Sequence, residues 1–294
     1  MRILIQLVFF LFICSRLYAQ NGRDTILLPL RILQGTPPII SQLATERVEN
    51  ITSFRHIPPG YKFWCIRQWT VVYLQELREQ ALTGKITTDR FEDYAKSVAM
   101  IDSPYKSVSS AILPGNKVAF FTGIDTTGKK IIIADANNNK DFNDDKIWTF
   151  DTSYFSRPFR SAGFLPTVNL DIQYFDRLTG AVTKIATPVM LNPFEYYNED
   201  FESDPKERIL DLVIECTRYR QTDLKLNGEK YTIYLCNNHN ELPFTDRTNT
   251  NLLVETSAGK KKFYKLFDNL ELGDSKYKIG GLKDEAELIL IKIN

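Results

Sequence analysis

The strongest constraint on this fold is a pattern of short β-prone runs and turn residues that occurs twice, one hundred residues apart. Gly128-Lys129-Lys130-Ile131-Ile132-Ile133 leads into an Asn-rich loop beginning at Asn137-Asn138. Gly228-Glu229-Lys230-Tyr231-Thr232-Ile233 leads into Asn237-Asn238-His239-Asn240. Both loops then carry Phe, a small polar residue and Asp: Phe142-Asn143-Asp144 and Phe244-Thr245-Asp246. Both continue into apolar runs, Ile147 to Phe150 and Leu252 to Val254. A hairpin, a polar loop and a third strand repeated in this way predict a mainly β chain. The expected architecture is two tandem antiparallel β modules of sandwich type, with a small α-helical hairpin near the N-terminus.

The remaining punctuation fills in that plan. Lys117 to Ile124 and Lys130 to Asp135 read as strands around an Asp125-Thr126-Thr127-Gly128 turn. Val168 to Phe175, Ala181 to Leu191 and Glu287 to Ile293 read as further strands, the last preceded by a Gly280-Gly281 turn. Asn227-Gly228 predicts a two-residue hairpin. Residues 20–60 mix apolar runs with Pro and Gly and read as an irregular entry segment with one short strand. Trp69, Val72, Tyr73 and Leu77 fall on one helical face, predicting a helix over 63–82. Asp89 with Glu92 resembles a capping box for a second helix over 90–100. The expected organisation is a leading segment with the helical hairpin (20–107), a first β module (108–197), an acidic linker (198–207) and a second β module (208–294).

The first residues supply an address. Arg2, an apolar run from Ile3 to Cys14 and Ala19 have the order of a cleavable signal peptide, residues 1–19. The apolar run is short of the roughly 20 residues that span a membrane. Cleavage after Ala19 predicts a secreted or periplasmic chain without a transmembrane segment. It removes two arginines and no acid, leaving 35 basic residues against 36 acidic ones, a formal charge of −1. Such a balance gives no electrostatic case for nucleic acid. Cys65, Cys216 and Cys236 remain, without any C-x-x-C. The Asn227-Gly228 hairpin sets Cys236 opposite Tyr219, on the other sheet face from Cys216, so a Cys216–Cys236 disulfide would require a bulge and buried thiols are the main expectation.

One loop carries chemistry. Asp135, Asn137 and Asn139 stand at positions one, three and five of a run that continues through Asp141 and Phe142 to Asp144 and Asp145. Alternate oxygen-bearing residues converge on one centre in EF-hand-like calcium loops, and an apolar residue at position eight anchors them. The six candidate ligands are Asp135, Asn137, Asn139, Asp141, Asp144 and Asp145. Two departures matter: Lys140 occupies the sixth position, where glycine serves the positive-φ turn, and Lys146 replaces the terminal Glu. Calcium is the expected cation, with roughly millimolar affinity. A bare Asn/Asp turn bonding its own backbone would use the same residues. In the second loop Leu235 replaces the first Asp, so no second site is expected.

The stretch Ile-Ile-Ile-Ala-Asp135-Ala-Asn137-Asn-Asn139-Lys-Asp141-Phe142-Asn-Asp144-Asp145 resembles the repeated β module ahead of the thioredoxin-like domain in exported bacterial thiol–disulfide oxidoreductases. The resemblance covers residues 85–294 and lacks the catalytic C-x-x-C. It implies an accessory or binding module.

Enzyme motifs are sparse. The chain has two histidines, His56 and His239, and no G-x-S-x-G, P-loop or H-E-x-x-H. The primary expectation is a non-catalytic binding or structural protein of the bacterial envelope, with a protein or glycan as ligand. Two alternatives are an accessory partner of an extracytoplasmic thiol-redox system, acting through Cys65, and a secreted hydrolase using carboxylates from distant strands.

Overall fold

A computed structural model describes residues 25–35, 37–39, 42–98, 108–151, 165–176, 179–193, 208–237, 250–284 and 286–293. The expected signal peptide, the 198–207 linker, the second Asn-rich loop and His239 lie outside these residues. The chain is mainly β, and among the described residues every pairing between strands is antiparallel. In order come β1 (Thr25–Pro29), β2 (Arg31–Gln34), β3 (Gln42–Ala44), β4 (Glu46–Arg47) and β5 (Phe63–Thr70). Helices α1 (Tyr73–Leu82) and α2 (Thr88–Val98) follow. Then come β6 (Lys117–Ile124), β7 (Lys130–Ala134), β8 (Ile147–Phe150), β9 (Thr167–Asp176), β10 (Ala181–Asn192) and β11 (Val213–Cys216). The last strands are β12 (Arg218–Leu226), β13 (Glu229–Asn237), β14 (Thr250–Thr256), β15 (Lys261–Lys265), β16 (Asn269–Leu272), β17 (Ser275–Lys283) and β18 (Glu287–Ile293).

The described strands form four sheets, stacked as two sandwiches. Sheet β4-β5-β6-β7-β8 faces sheet β3-β11-β10-β9. Trp69, Val118, Phe120, Ile132 and Phe150 from the first share one core with Leu170, Ile172, Val189, Leu191 and Ile214 from the second. Leu74, Leu77, Phe91 and Ala95 of the helices close this core. Sheet β2-β12-β13-β14-β15 faces sheet β1-β18-β17-β16, burying Ile233, Leu235, Leu252 and Val254 against Leu270, Leu272, Ile279, Leu288 and Leu290. Each such side chain contributes about 1.5–3 kcal/mol by leaving water. The alternation follows from strand geometry, which sends residues i and i+2 to one face. In β7 both faces are covered: Ile132 and Ala134 enter the sandwich core, while Ile131 and Ile133 pack with Phe121 and Phe142 beneath residues 48–61. A doubly buried strand therefore reads as an unbroken apolar run.

Several expectations need correction. The leading segment is more regular than expected, with β1, β2, β3 and β4 in place of one short strand; each forms an edge of a different sheet, on β18, β12, β11 and β5. Nor do the strands respect a boundary at residue 208, because β11 pairs with β10 of the first sandwich. The helix expected over 63–82 begins only at Tyr73. Residues 63–70 instead pair along their whole length with β6, and eight cross-strand partners outweigh a helical spacing of aromatics. Helix α2 starts at Thr88, and the Thr87 hydroxyl, not Asp89, caps it by accepting the Arg90 N–H at 3.2 Å. Gly280-Gly281 is no turn but a bulge within β17, with Gly281 at φ 101°.

Other expectations hold at residue level. β6 and β18 have the bounds read from sequence. The Asn227-Gly228 hairpin sets Arg220 opposite Leu235, and one further step along the ladder brings Tyr219 beside Cys236.

Candidate functional site

The Asn/Asp loop closes the end of the β7–β8 connection, and its shape is built by its own carboxylates. Asp135 is fully buried, and its two oxygens accept the N–H groups of Asn139 and Lys140, both at 2.9 Å. Asn137 Oδ1 accepts the Asn139 N–H (3.2 Å), and Asn139 Oδ1 accepts the Asp141 N–H (2.7 Å). These are side-chain-to-backbone turns, the reason Asn and Asp dominate such loops. Asn138 at φ 55° and Lys140 at φ 62° take left-handed conformations. The sixth position thus makes the positive-φ turn without glycine, at a cost of about 1–2 kcal/mol.

The polar side chains converge. Asn137 and Asn139 both donate their amide N–H groups to Asp144 Oδ2, at 2.9 and 3.0 Å. Asp145 Oδ1 accepts the Ala136 N–H at 3.0 Å, whereas its Oδ2 is shielded from solvent and has no hydrogen-bond partner. Burial, with the neighbouring charges of Asp135, Asp144 and Asp141, pushes Asp145 up to about 6. Burial also raises Asp135, opposed by its backbone hydrogen bonds. Five of the six candidate ligands, Asp135, Asn137, Asn139, Asp144 and Asp145, therefore surround one region.

Asp141 is the exception. His56 Nδ1 lies 2.7 Å from its Oδ1 and Arg55 lies 3.6 Å from its Oδ2. The hydrogen bond from His56 is the main cause that lowers the Asp141 carboxyl below its ordinary range. Arg55 also bridges backbone to backbone, its N–H donating to Lys140 O at 2.8 Å, while Phe54 stacks on Phe142 with ring centroids 5.9 Å apart. Sequence reasoning missed this docking of residues 54–56. The partners are 85 positions apart, and no local pattern links them.

On the inner side the loop is tied to β9. The Asp171 N–H donates to Ala136 O at 2.7 Å, and the Asn138 amide donates to Lys117 O at 2.9 Å.

Carboxylate and amide oxygens are the ligand type that a hard cation takes. Among the described residues no group of three His, Cys, Asp or Glu is arranged to hold a metal ion. Any cation would also draw on the amide oxygens of Asn137 and Asn139, each of which already accepts a backbone N–H, so it would share or displace those bonds.

The sites of the alternative readings are also placed. Cys65 and Cys236 are buried thiols, and Cys65 Sγ lies 3.3 Å from Thr122 Oγ1 inside the first sandwich. A cleft of about 300 Å³ beside the loop contains one acid, Asp171. Another of about 450 Å³ beside Phe63 and Ile124 contains one, Asp125. Among the described residues no helix is long and apolar enough to cross a membrane. Comparison with protein-family models, with characterised proteins and with solved structures yields no match to this chain.

Proposed function

We propose that this chain is an exported, non-catalytic β protein of the bacterial envelope that binds a ligand or gives structural support, its first sandwich clipped by calcium at residues 135–145. The observation that carries the reading is the Asp145 carboxylate: one oxygen is shielded and unpartnered, and the charges of Asp135, Asp144 and Asp141 lie close enough to push its carboxyl up. A buried anionic oxygen without a partner is costly, and a cation at that point would relieve it. Asp135, Asn137, Asn139 and Asp145 would hold the ion, with Asp144 turning its carboxylate toward it. Calcium would stabilise the fold and take no part in chemistry.

The accessory-module reading agrees with the sequence resemblance to modules that precede thioredoxin-like domains. The sealed environment of Cys65 speaks against a role through that thiol, because a partner's sulfur would have to enter the sheet. Thermal unfolding with added calcium is the test. At a few-fold excess over a millimolar Kd the gain is about 1 kcal/mol, or a rise of about 2–4 °C in midpoint. An unmoved midpoint at several millimolar calcium removes the metal.

A further inference from the structure

The cleft beside the Asn/Asp loop has polar groups that the fold itself does not use. Its floor is the outward face of the β9–β10 ladder, where Gln173 stands opposite Lys184 and Asp171 opposite Ala186. Pro114 and Gly115 form one wall, and Asn137 and Asn138 form the other. The first wall is seated tightly. The Gly115 N–H donates to Gln173 Oε1 at 3.1 Å, and a Cβ on Gly115 would fall 2.5 Å from Gln173 Cγ. The second wall is fixed by the Asn138 and Ala136 bonds to Lys117 and Asp171.

With the walls fixed, four polar groups are left over. Among the described residues, Lys184 Nζ and Gln173 Nε2 have no acceptor, and the Asp171 carboxylate and Asn138 Oδ1 have no donor. That is two donors and two acceptors, with one positive and one negative charge. A strongly anionic or cationic ligand would find as much repulsion as attraction there. Hydroxyl groups, each a donor and an acceptor, match a mixed set of this kind. Pro114 and Ala186 add apolar surface for C–H faces. Clefts of a few hundred Å³ with a few convergent polar groups are the usual form of small-ligand sites.

We propose that this cleft binds a neutral, hydroxyl-rich ligand, a segment of glycan, between the Asn/Asp loop and the β9–β10 face. This deepens the binding-module reading and rests on it; calcium enters only by stiffening the Asn137–Asn138 wall. The test is a screen of the intact exported chain on an array of neutral oligosaccharides. Solution titrations of the best hit follow, with tri-alanine as a zwitterionic competitor, each in calcium and in chelator. The expected result is saccharide binding that weakens about tenfold in Lys184→Ala, with its thermal midpoint unchanged, and about tenfold in Gln173→Glu, which loses the free amide donor but keeps the oxygen that accepts the Gly115 N–H. Binding of tri-alanine in place of sugars, no saccharide hit, or variants that bind like the parent would each overturn the cleft. The two readings fail separately. Saccharide binding indifferent to calcium, together with an unmoved midpoint, keeps the cleft and sinks the metal; a calcium-raised midpoint without saccharide binding does the reverse.

Discussion

The two sandwiches are built from similar three-stranded meanders, β6-β7-β8 and β12-β13-β14, yet their interiors differ. The second is mainly aliphatic and tyrosine, with Arg220, Thr222 and Thr250 the buried polar side chains on its described strands. The first buries Lys130, Asp135, Gln75, Glu76, Glu79, Asn116 and Asn192 among its apolar residues. Most of these polar groups are staples. Lys130 Nζ donates to Pro193 O and Asp211 O, Gln75 and Glu79 hold residues 109–113, and Asn192 bonds Glu215. Asp145 differs, since one of its oxygens has no such role. The second sandwich therefore reads as ballast for stability, and the first as the part where local rules are bent for a purpose.

That contrast can be broken by mutation. The largest effect belongs to the second sandwich: Leu290→Ala should cost about 2–5 kcal/mol in chemical unfolding, equally with and without calcium. A calcium-dependent loss would mean that the two cores are not separate in role. Next is Asp135→Ala, which strands the N–H groups of Asn139 and Lys140. It should cost about 2–3 kcal/mol and abolish the calcium response.

Asp145→Asn sharpens the comparison further. Without metal its midpoint should match or exceed the parent's, because a disfavoured charge is gone, and with metal the rise of about 1 kcal/mol should vanish. A variant that is less stable in chelator would show that the carboxylate serves the fold alone. The pH dependence has a definite sign. The folded chain holds the Asp145 proton more tightly than the unfolded chain does, since the carboxyl moves from 3.8 to about 6. In chelator, this group's contribution to stability falls as pH rises from about 4 to about 6 and is fully lost above. Asp141, whose carboxyl is lowered, acts in the opposite sense: its contribution is present above the ordinary carboxylate range and disappears as pH falls through its depressed value. Unfolding midpoints of Asp145→Asn and parent across this range separate the two. The smallest effect is Lys140→Gly, which relieves a left-handed lysine and should raise stability by about 0.5–1 kcal/mol.

What the sequence made legible was local. Strands bounded by turn residues, such as Lys117–Ile124 and Glu287–Ile293, announce themselves through period and punctuation, as do the alternate oxygens of the loop. What stayed hidden depends on distant partners. Residues 25–47 have too few residues per strand to show a period, and only their partners make them strands. Residues 63–70 carry their aromatics at a spacing that fits a helix as well as a strand, and β6 decides. Asp141 looked like a ligand by position, but Arg55 and His56, invisible to spacing, claim it.

The threading of residues 25–47 across all four sheets has a consequence for how the molecule comes into being. Thr25–Pro29 pairs with residues 287–291, so the first described strand must wait for the last. Synthesis can finish the first hairpins early, but the seam that joins β1 to β18 stays open until residues 287–291 have been made. Long-range closure of this kind is slow. Until then the outer edge of β18 has no partner, so the second sandwich is the last part of the described fold to close.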